Sequence, residues 1–229
     1  PYCGVGCQMD LLVNKRKNRI VRATSDPYSP INSGNLCVKG HFGFEFVGSP
    51  ERLTHPLIRE NGAFRKASWS EALELVGRRF REIREKHGAD SLAFISSARC
   101  TNEENYLVQK IARAAVGTNN VDNCATSCHA PTVAGLAESF GSGAMTNSTA
   151  EIKDCKVLFL IGANPTEAHP IFGLEMKRAL RRGAKLIVCD PRQTWLARRA
   201  DIHIQHHPGS DNILLNAMMR FILDEGLAD

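Results

Sequence analysis

The strongest constraint on the fold sits in the last part of the chain. Three short apolar runs follow one another there: Val157-Leu158-Phe159-Leu160-Ile161, Lys185-Leu186-Ile187-Val188-Cys189 and Ile202-His203-Ile204. Between the first two lies a helical pattern from Ile171 to Arg182, closed by Gly183. Buried-type strands alternating with a helix predict a parallel sheet with right-handed crossovers, hence an α/β fold class of Rossmann-like domains. A final helix is expected from Asp211 to Glu225. In such sheets ligands bind beyond the carboxyl ends of the strands, so the turns after each run are candidate binding sites.

The rest of the chain has a different texture. Met9 to Val13 and Arg19 to Arg22 read as a hairpin around a polar turn at Asn14 to Asn18. Residues 24–36 are rich in Ser, Asp, Pro, Asn and Gly, which is loop composition. After Pro56, Ser68 or Ser70 caps an amphipathic run that ends at His87, before Gly88-Ala89-Asp90. Ser91 to Ser96 reads as a strand. Thr101 or Asn102 starts another helix, with Tyr106, Leu107, Ile111 and Val116 on its apolar side and a stop at Gly117. A further helix is predicted from Pro131 to residue 139, with the proline near its first turn. At about 150 residues per domain, a chain of this length makes one to two domains. The texture divides the chain into a small β-rich cysteine module over 1–53 and α/β segments over 54–123 and 124–229.

Composition removes several function classes. Hydrophobic residues are 43% of the 229, enough for a sizeable core and too many for a disordered chain. Lys and Arg exceed Asp and Glu by 29 − 24, a charge of +5. That surplus suits anionic small ligands better than a nucleic-acid surface, which carries clustered basic residues. No apolar run reaches the roughly 18 residues that cross a membrane. The sequence begins at Pro1 rather than Met, and is expected to be a piece of a longer protein, incomplete at the C-terminus.

Eight cysteines carry most of the chemistry. Cys3-x3-Cys7 lies on a loop with Gly4 and Gly6, and Cys37 follows at a distance. Thiolates four apart on a tight loop can converge on a metal centre, and iron–sulfur clusters use about four. A zinc ion with His41 as fourth ligand is a rival, although Cys-x3-Cys is an unusual zinc spacing. Disulfides fit less well, since three cysteines leave one over.

The resemblance rests on blocks spread through the whole chain. They are Pro1-Tyr2-Cys3-Gly4-Val5-Gly6-Cys7, Gly34-Asn35-Leu36-Cys37-Val38-Lys39-Gly40, Thr101-Asn102-Glu103-Glu104-Asn105-Tyr106, the segment Asn119 to Leu136 around Cys128-His129, Gly162-Ala163-Asn164-Pro165-Thr166-Glu167-Ala168-His169-Pro170, and Cys189-Asp190-Pro191-Arg192. In these the chain resembles the catalytic subunit of molybdenum- or tungsten-dependent formate dehydrogenases, within the molybdopterin oxidoreductases. The resemblance implies that Cys3, Cys7 and Cys37 bind a 4Fe–4S cluster whose first cysteine falls one residue before Pro1. It implies that Cys128 ligates Mo or W, for which a soft thiolate is suited. His129 matches the proton-handling residue, and an imidazole takes a proton near neutral pH. Lys39 matches the lysine set between cluster and pterin.

The same resemblance implies that the segment over 54–123 begins a second α/β domain and that the segment over 124–229 binds a nucleotide. Its sheet-end turns would then hold one guanine dinucleotide of a bis-molybdopterin guanine dinucleotide centre. The candidates are Gly162, Asn164, Pro165, Glu167, Cys189, Asp190, Arg192, Gly209 and Asp211. Small residues at Gly162 let a phosphate approach a helix N-terminus. Asp211 either accepts from a guanine edge or caps its helix. Cys100, Cys124 and Cys155 receive no role, and the pair His206-His207 is expected in a surface loop rather than at a metal. The implied reaction is reversible oxidation of formate to CO2, with electrons passed to partner subunits carrying iron–sulfur clusters or flavin. The expected compartment is cytoplasmic. Rival readings are a periplasmic-type nitrate reductase and a molybdenum-free scaffold subunit related to respiratory NADH dehydrogenase.

Overall fold

The computed structural model describes residues 2–228. The chain forms two compact units. One is Tyr2–Gly48 together with the chain from Asn147 onward; the other is Ser49–Thr146.

The chain opens with an antiparallel hairpin of β1 (Asp10–Asn14) and β2 (Arg19–Thr24), with an irregularity in register between Leu12 and Val13. The loop that follows is ordered by a buried side chain rather than by backbone pairing. Asn32 is 1% exposed. The short helix α1 (Val38–Phe42) begins directly after Cys37.

In the second unit, β3 (Leu57–Glu60) and β4 (Ala63–Lys66) form a hairpin that the pattern analysis did not anticipate. Its turn is Asn61-Gly62, both with positive φ (50° and 83°), the pair that matches strand twist in a tight hairpin. Arg65 joins this hairpin to the next helix, donating to Glu60 Oε2 at 2.8 Å and pairing with Glu71. That helix is α2 (Trp69–His87), capped by Ser68, whose hydroxyl accepts from Glu71 N. Of the two capping candidates it is therefore Ser68.

The strand expected over 91–96 shortens to β5 (Phe94–Ser96), because Ala89–Ser91 turns as a 3-10 segment and its parallel partner is three residues long. α3 (Asn102–Lys110) starts from Thr101 with a full capping box to Glu104 and runs on through a wide π turn, Ile111–Val116, to Gly117. Its partner strand is β6 (Val121–Asn123). The apolar side of this helix is mostly open. Val116 is 6% exposed, while Tyr106, Leu107 and Ile111 are large exposed hydrophobics. α4 (Ala125–Cys128) and α5 (Ala130–Phe140) follow, the latter with Pro131 in its first turn and closed by Gly141.

The last part returns to the first unit as a Rossmann-type array. β7 (Val157–Ile161) leads to α6 (Pro165–Ala168) and α7 (Pro170–Arg181). β8 (Lys185–Cys189) and β9 (Ile202–Ile204) complete a parallel sheet in the order β7-β8-β9, and α8 (Asp211–Asp224) follows. Leu186 and Val188 on the central strand pack with Leu158, Met176, Ala179, Leu196 and Ala197 in the principal core. The α/β class and the parallel order agree with the sequence expectation.

Asp201 ties the start of β9 to β8. Its carboxylate accepts from Lys185 Nζ and from the Leu186 amide, each at 2.8 Å. These bonds, first that from Lys185, hold its pKa below the ordinary carboxylate value. A depressed carboxylate stabilises the fold at pH above its unfolded pKa of about 3.9, and that contribution disappears as pH falls through the lower folded value. Asp201→Asn is therefore expected to lower the melting temperature at neutral pH and to flatten the acid limb of the stability curve, measured by thermal unfolding between pH 2 and 7.

Candidate functional site

The three N-terminal cysteines are brought together by the folding of two loops. Gly6 takes a positive φ of 73° between Cys3 and Cys7, which turns the loop back on itself. The Tyr2 ring lies so close to Gly43 that a Cβ there would overlap its hydroxyl, which pins the residue next to Cys3 against the end of α1. Cys37 is the N-cap of that helix. The Cys7 thiol is pushed up, first by burial and then by the charges of Cys3 and Cys37. Three thiols that feel one another across a small distance form a donor set suited to a cluster. Among the described residues, no three His, Cys, Asp or Glu side chains gather at the spacing of a single bound ion. A cluster spreads its cysteines over several iron atoms, so it accepts this wider set.

Asn32 braces both loops, and the sequence reading passed over it. Its Oδ1 accepts from the Gln8 amide at 3.1 Å and the Ser29 hydroxyl at 2.7 Å. Its Nδ2 donates to Ser25 Oγ and to the Asn35 carbonyl, each at 2.7 Å. One buried amide thus joins the residue after Cys7 to the residue two before Cys37. Lys39 stands on α1 with an exposed side chain, two residues beyond Cys37.

Cys128 and His129 occupy the other unit. Cys128 ends α4 and His129 is the junction residue before α5, with φ −149° and ψ 0°; both are exposed. The break between two helices presents the pair at a corner instead of on a helix face. Asn123 sets that corner. Its Nδ2 donates to Ser96 Oγ at 2.8 Å and Asn105 Oδ1 at 3.2 Å, and its Oδ1 accepts from the Ala125 amide at 3.0 Å. It therefore ties the ends of β5 and β6 and the start of α3 to the first turn of α4. Cys124, which had no role assigned, accepts the Ala98 amide on its sulfur at 3.1 Å.

The sheet-end residues fall where the strand order predicts. Gly162 follows β7 and donates to the Cys189 carbonyl at 2.9 Å. Asn164 precedes α6, its Oδ1 accepting from Thr166 Oγ1, with Pro165 buried and Glu167 exposed in the first turn. α7 packs so tightly on this turn that a Cβ at Gly173 would sit 3.1 Å from Thr166 Cα. Asp190 is buried; its Oδ1 accepts from the Arg192 amide at 2.7 Å, and the Arg192 guanidinium lies 3.8 Å away. Gly209 turns with a positive φ of 84° into α8.

Asp211 is the first residue of α8 and not its cap, since Ser210 holds that position. Its Oδ1 is 3.7 Å from where a Cβ on Gly162 would lie, and its charge helps burial to push the Cys189 thiol up. His206 Nε2 meets the same Oδ1 at 3.0 Å. Gly162, Cys189, His206 and Asp211 thus converge at the carboxyl ends of the strands. His206 was expected at the surface; its side chain is instead 7% exposed. A His-His pair before a turn carries no signal for which ring folds inward.

Comparison with known proteins gives two family matches. The sequence matches the Molybdopterin oxidoreductase Fe4S4 domain over residues 1–49 and Molybdopterin oxidoreductase over residues 52–229. It is 45% identical to the F420-dependent formate dehydrogenase 2 subunit alpha of Methanococcus maripaludis, over 100% of this chain and 33% of that protein. It is 46% identical to the probable oxidoreductase YjgC of Bacillus subtilis, over 100% of this chain and 23% of that protein. Among solved structures, the acetylene hydratase from Pelobacter acetylenicus superposes with a TM-score of 0.76 at 26% identity, covering 99% of this chain and 31% of that one. The chain therefore spans between a quarter and a third of the length of these relatives.

The Asn32 brace has a measurable consequence. Asn32→Ala leaves several buried partners unpaired and is expected to cost about 1–3 kcal/mol. In the full-length protein it should lower bound iron and sulfide per polypeptide, measured by metal analysis and by the visible absorption of the purified protein. Unchanged iron content would remove Asn32 from the cluster loop's support.

Proposed function

Since the chain belongs to the molybdopterin oxidoreductase family, we propose that the whole protein is the catalytic subunit of a formate dehydrogenase, which converts formate to CO2 reversibly. The observation that carries this reading is identity of 43–45% across all 229 residues with formate dehydrogenase alpha subunits. The nitrate reductase and scaffold readings have no comparable support among these relatives. The matched domains support a 4Fe–4S cluster and a molybdopterin cofactor. We further read the pterin as a bis-guanine dinucleotide form and the metal as Mo or W.

Functionally, the division we propose is a cluster module over 1–53, the beginning of a second α/β domain over 54–123, and the nucleotide-binding part over 124–229. In the cluster module Cys3, Cys7 and Cys37 hold iron. Burial first, and then the charges of Cys3 and Cys37, raise the Cys7 thiol, and a bound cation would favour its thiolate. At the sheet end, Gly162 leaves room for a phosphate group, Asn164, Pro165 and Glu167 form the first turn beyond it, and Asp190, Arg192, Gly209 and Asp211 line the neighbouring turns. Cys189 is buried there and contributes packing.

The reaction removes one proton and two electrons from formate. The bound metal centre supplies the electron acceptor. Cys128 contributes an exposed sulfur at a helix end, free to enter a coordination sphere. His129, the next residue, is exposed at the same corner and receives the proton. Lys39 follows Cys37 by two residues and places a cation next to the cluster loop, where added negative charge is favoured. Electrons leave for partner subunits carrying iron–sulfur clusters or flavin. We read the compartment as cytoplasmic. Among the described residues no helix is long and apolar enough to cross a membrane.

The test uses the full-length protein with viologen dye as acceptor. Formate-dependent reduction without nitrate turnover is expected. Cys128→Ala should abolish activity and release the metal. His129→Gln should keep the metal and lower kcat by about 100- to 10,000-fold. Full formate turnover in Cys128→Ala would overturn the reading.

A further inference from the structure

The ring of His206 is the one buried imidazole nitrogen pair in the sheet-end cluster with a nitrogen left over. Nε2 bonds Asp211 Oδ1 at 3.0 Å. Nδ1 is inaccessible to water and has no hydrogen-bond partner among the described residues. A carboxylate oxygen accepts, so Nε2 is the nitrogen that carries the hydrogen. The ring thus donates through Nε2, and the bond takes up one lone pair of the Asp211 carboxylate.

That carboxylate makes no capping hydrogen bond in its own helix, where its charge in the first turn favours the helix dipole. Ser210 is the N-cap, and Asp211 follows it as the first helical residue. Its side chain is 45% exposed, so it keeps acceptor capacity beyond the bond from His206. It stands near Gly162, where a Cβ would come 3.7 Å from Oδ1, and its charge reaches the buried Cys189 at the end of β8. An anion held in this position, at the carboxyl end of a parallel sheet, suits a ligand edge that presents adjacent N–H donors. Guanine presents two on one edge, N1–H and the 2-amino group. Adenine's corresponding edge has an acceptor at N1.

We propose that His206 is a positioning residue for the nucleotide end of the cofactor: by occupying Asp211 Oδ1 it fixes the carboxylate so that its remaining lone pairs accept the paired N–H donors of a guanine. The inference rests on the reading of this sheet end as a guanine dinucleotide site. It adds a residue that the sequence left at the surface, acting through Asp211 and not on the reacting atoms.

The experiment compares full-length wild type with His206→Phe, His206→Gln and Asp211→Asn. The readouts are guanine released by acid hydrolysis, pterin fluorescence after oxidation, and iron content, each followed during prolonged dilution and gel filtration. Loss of guanine and pterin from His206→Phe is expected to be on the order of ten-fold faster than from wild type, the size of one hydrogen bond. Iron should stay constant, and His206→Gln, which keeps an N–H donor, should restore retention. Asp211→Asn should behave like His206→Phe, and the double variant should be no worse than either. Wild-type retention in His206→Phe alongside loss in Asp211→Asn would overturn the role of His206 while leaving the guanine site standing. Equal loss in His206→Phe and His206→Gln would overturn it as well, since bulk and not the donor would then matter. Wild-type protein that yields pterin without guanine would overturn the underlying site reading itself.

Discussion

Strand β8 is hydrogen-bonded on both edges, to β7 and to β9, in parallel register. Parallel pairing points all three strands the same way, so their carboxyl ends form a single row. Leu186 and Val188 are fully buried in that strand, and a slip of one residue would turn them out of the core and Ile187 into it. Register is therefore fixed by burial. Fixed register in turn places Gly162, Cys189 and the His206 turn side by side. The sheet-end cluster is a consequence of this packing, and its chemistry needs only small or polar side chains at positions the core has already aligned.

The cysteine turns are held differently. Neither lies on a large sheet, and each is braced by a carboxamide. Asn32 spans the two loops around Cys7 and Cys37, while Asn123 spans two strand ends, a helix start and the turn that leads to Cys128. An amide side chain offers two donors and an acceptor with two lone pairs, so it can tie together loops that have no backbone ladder. A core residue could not replace it, since those loop amides and carbonyls would then lack partners. Rigidity at these sites comes from polar satisfaction, whereas at the sheet end it comes from apolar packing.

This contrast explains what the sequence disclosed. The β7–α7–β8 unit was legible because burial dictates a periodic pattern, and Gly183 marks where the helix stops. The hairpin at β3–β4 was equally marked by Asn61-Gly62, but its strands are nearly all exposed and lack alternation, so no pattern drew attention to the turn. The open face of Tyr106, Leu107 and Ile111 shows another limit. Helical periodicity says which residues share a side and is silent on whether anything covers that side. Asn32, Asn123 and His206 were illegible for a third reason. A polar residue in a loop looks the same in sequence whether it faces water or sits in a buried network.

The eight cysteines show how environment separates chemistry from structure where sequence alone does not. Cys124 accepts a backbone amide on its sulfur, Cys155 donates to the Glu151 carbonyl, and Cys189 is fully buried beneath Asp211. These three are engaged by the protein itself. Cys3, Cys7 and Cys37 lie on two loops, where burial first, and then the charges of the other two, raise the Cys7 thiol. Cys128 is exposed at a break between helices, where a fold gains nothing from a thiol. Side chains that are costly or idle in the polypeptide, yet held by specific bracing residues, point to a bound group that makes use of them. The braces are the more telling half of that argument, because the buried Asn32 amide fixes the loops that carry Cys7 and Cys37 and the half-buried Asn123 amide fixes the turn that leads to Cys128.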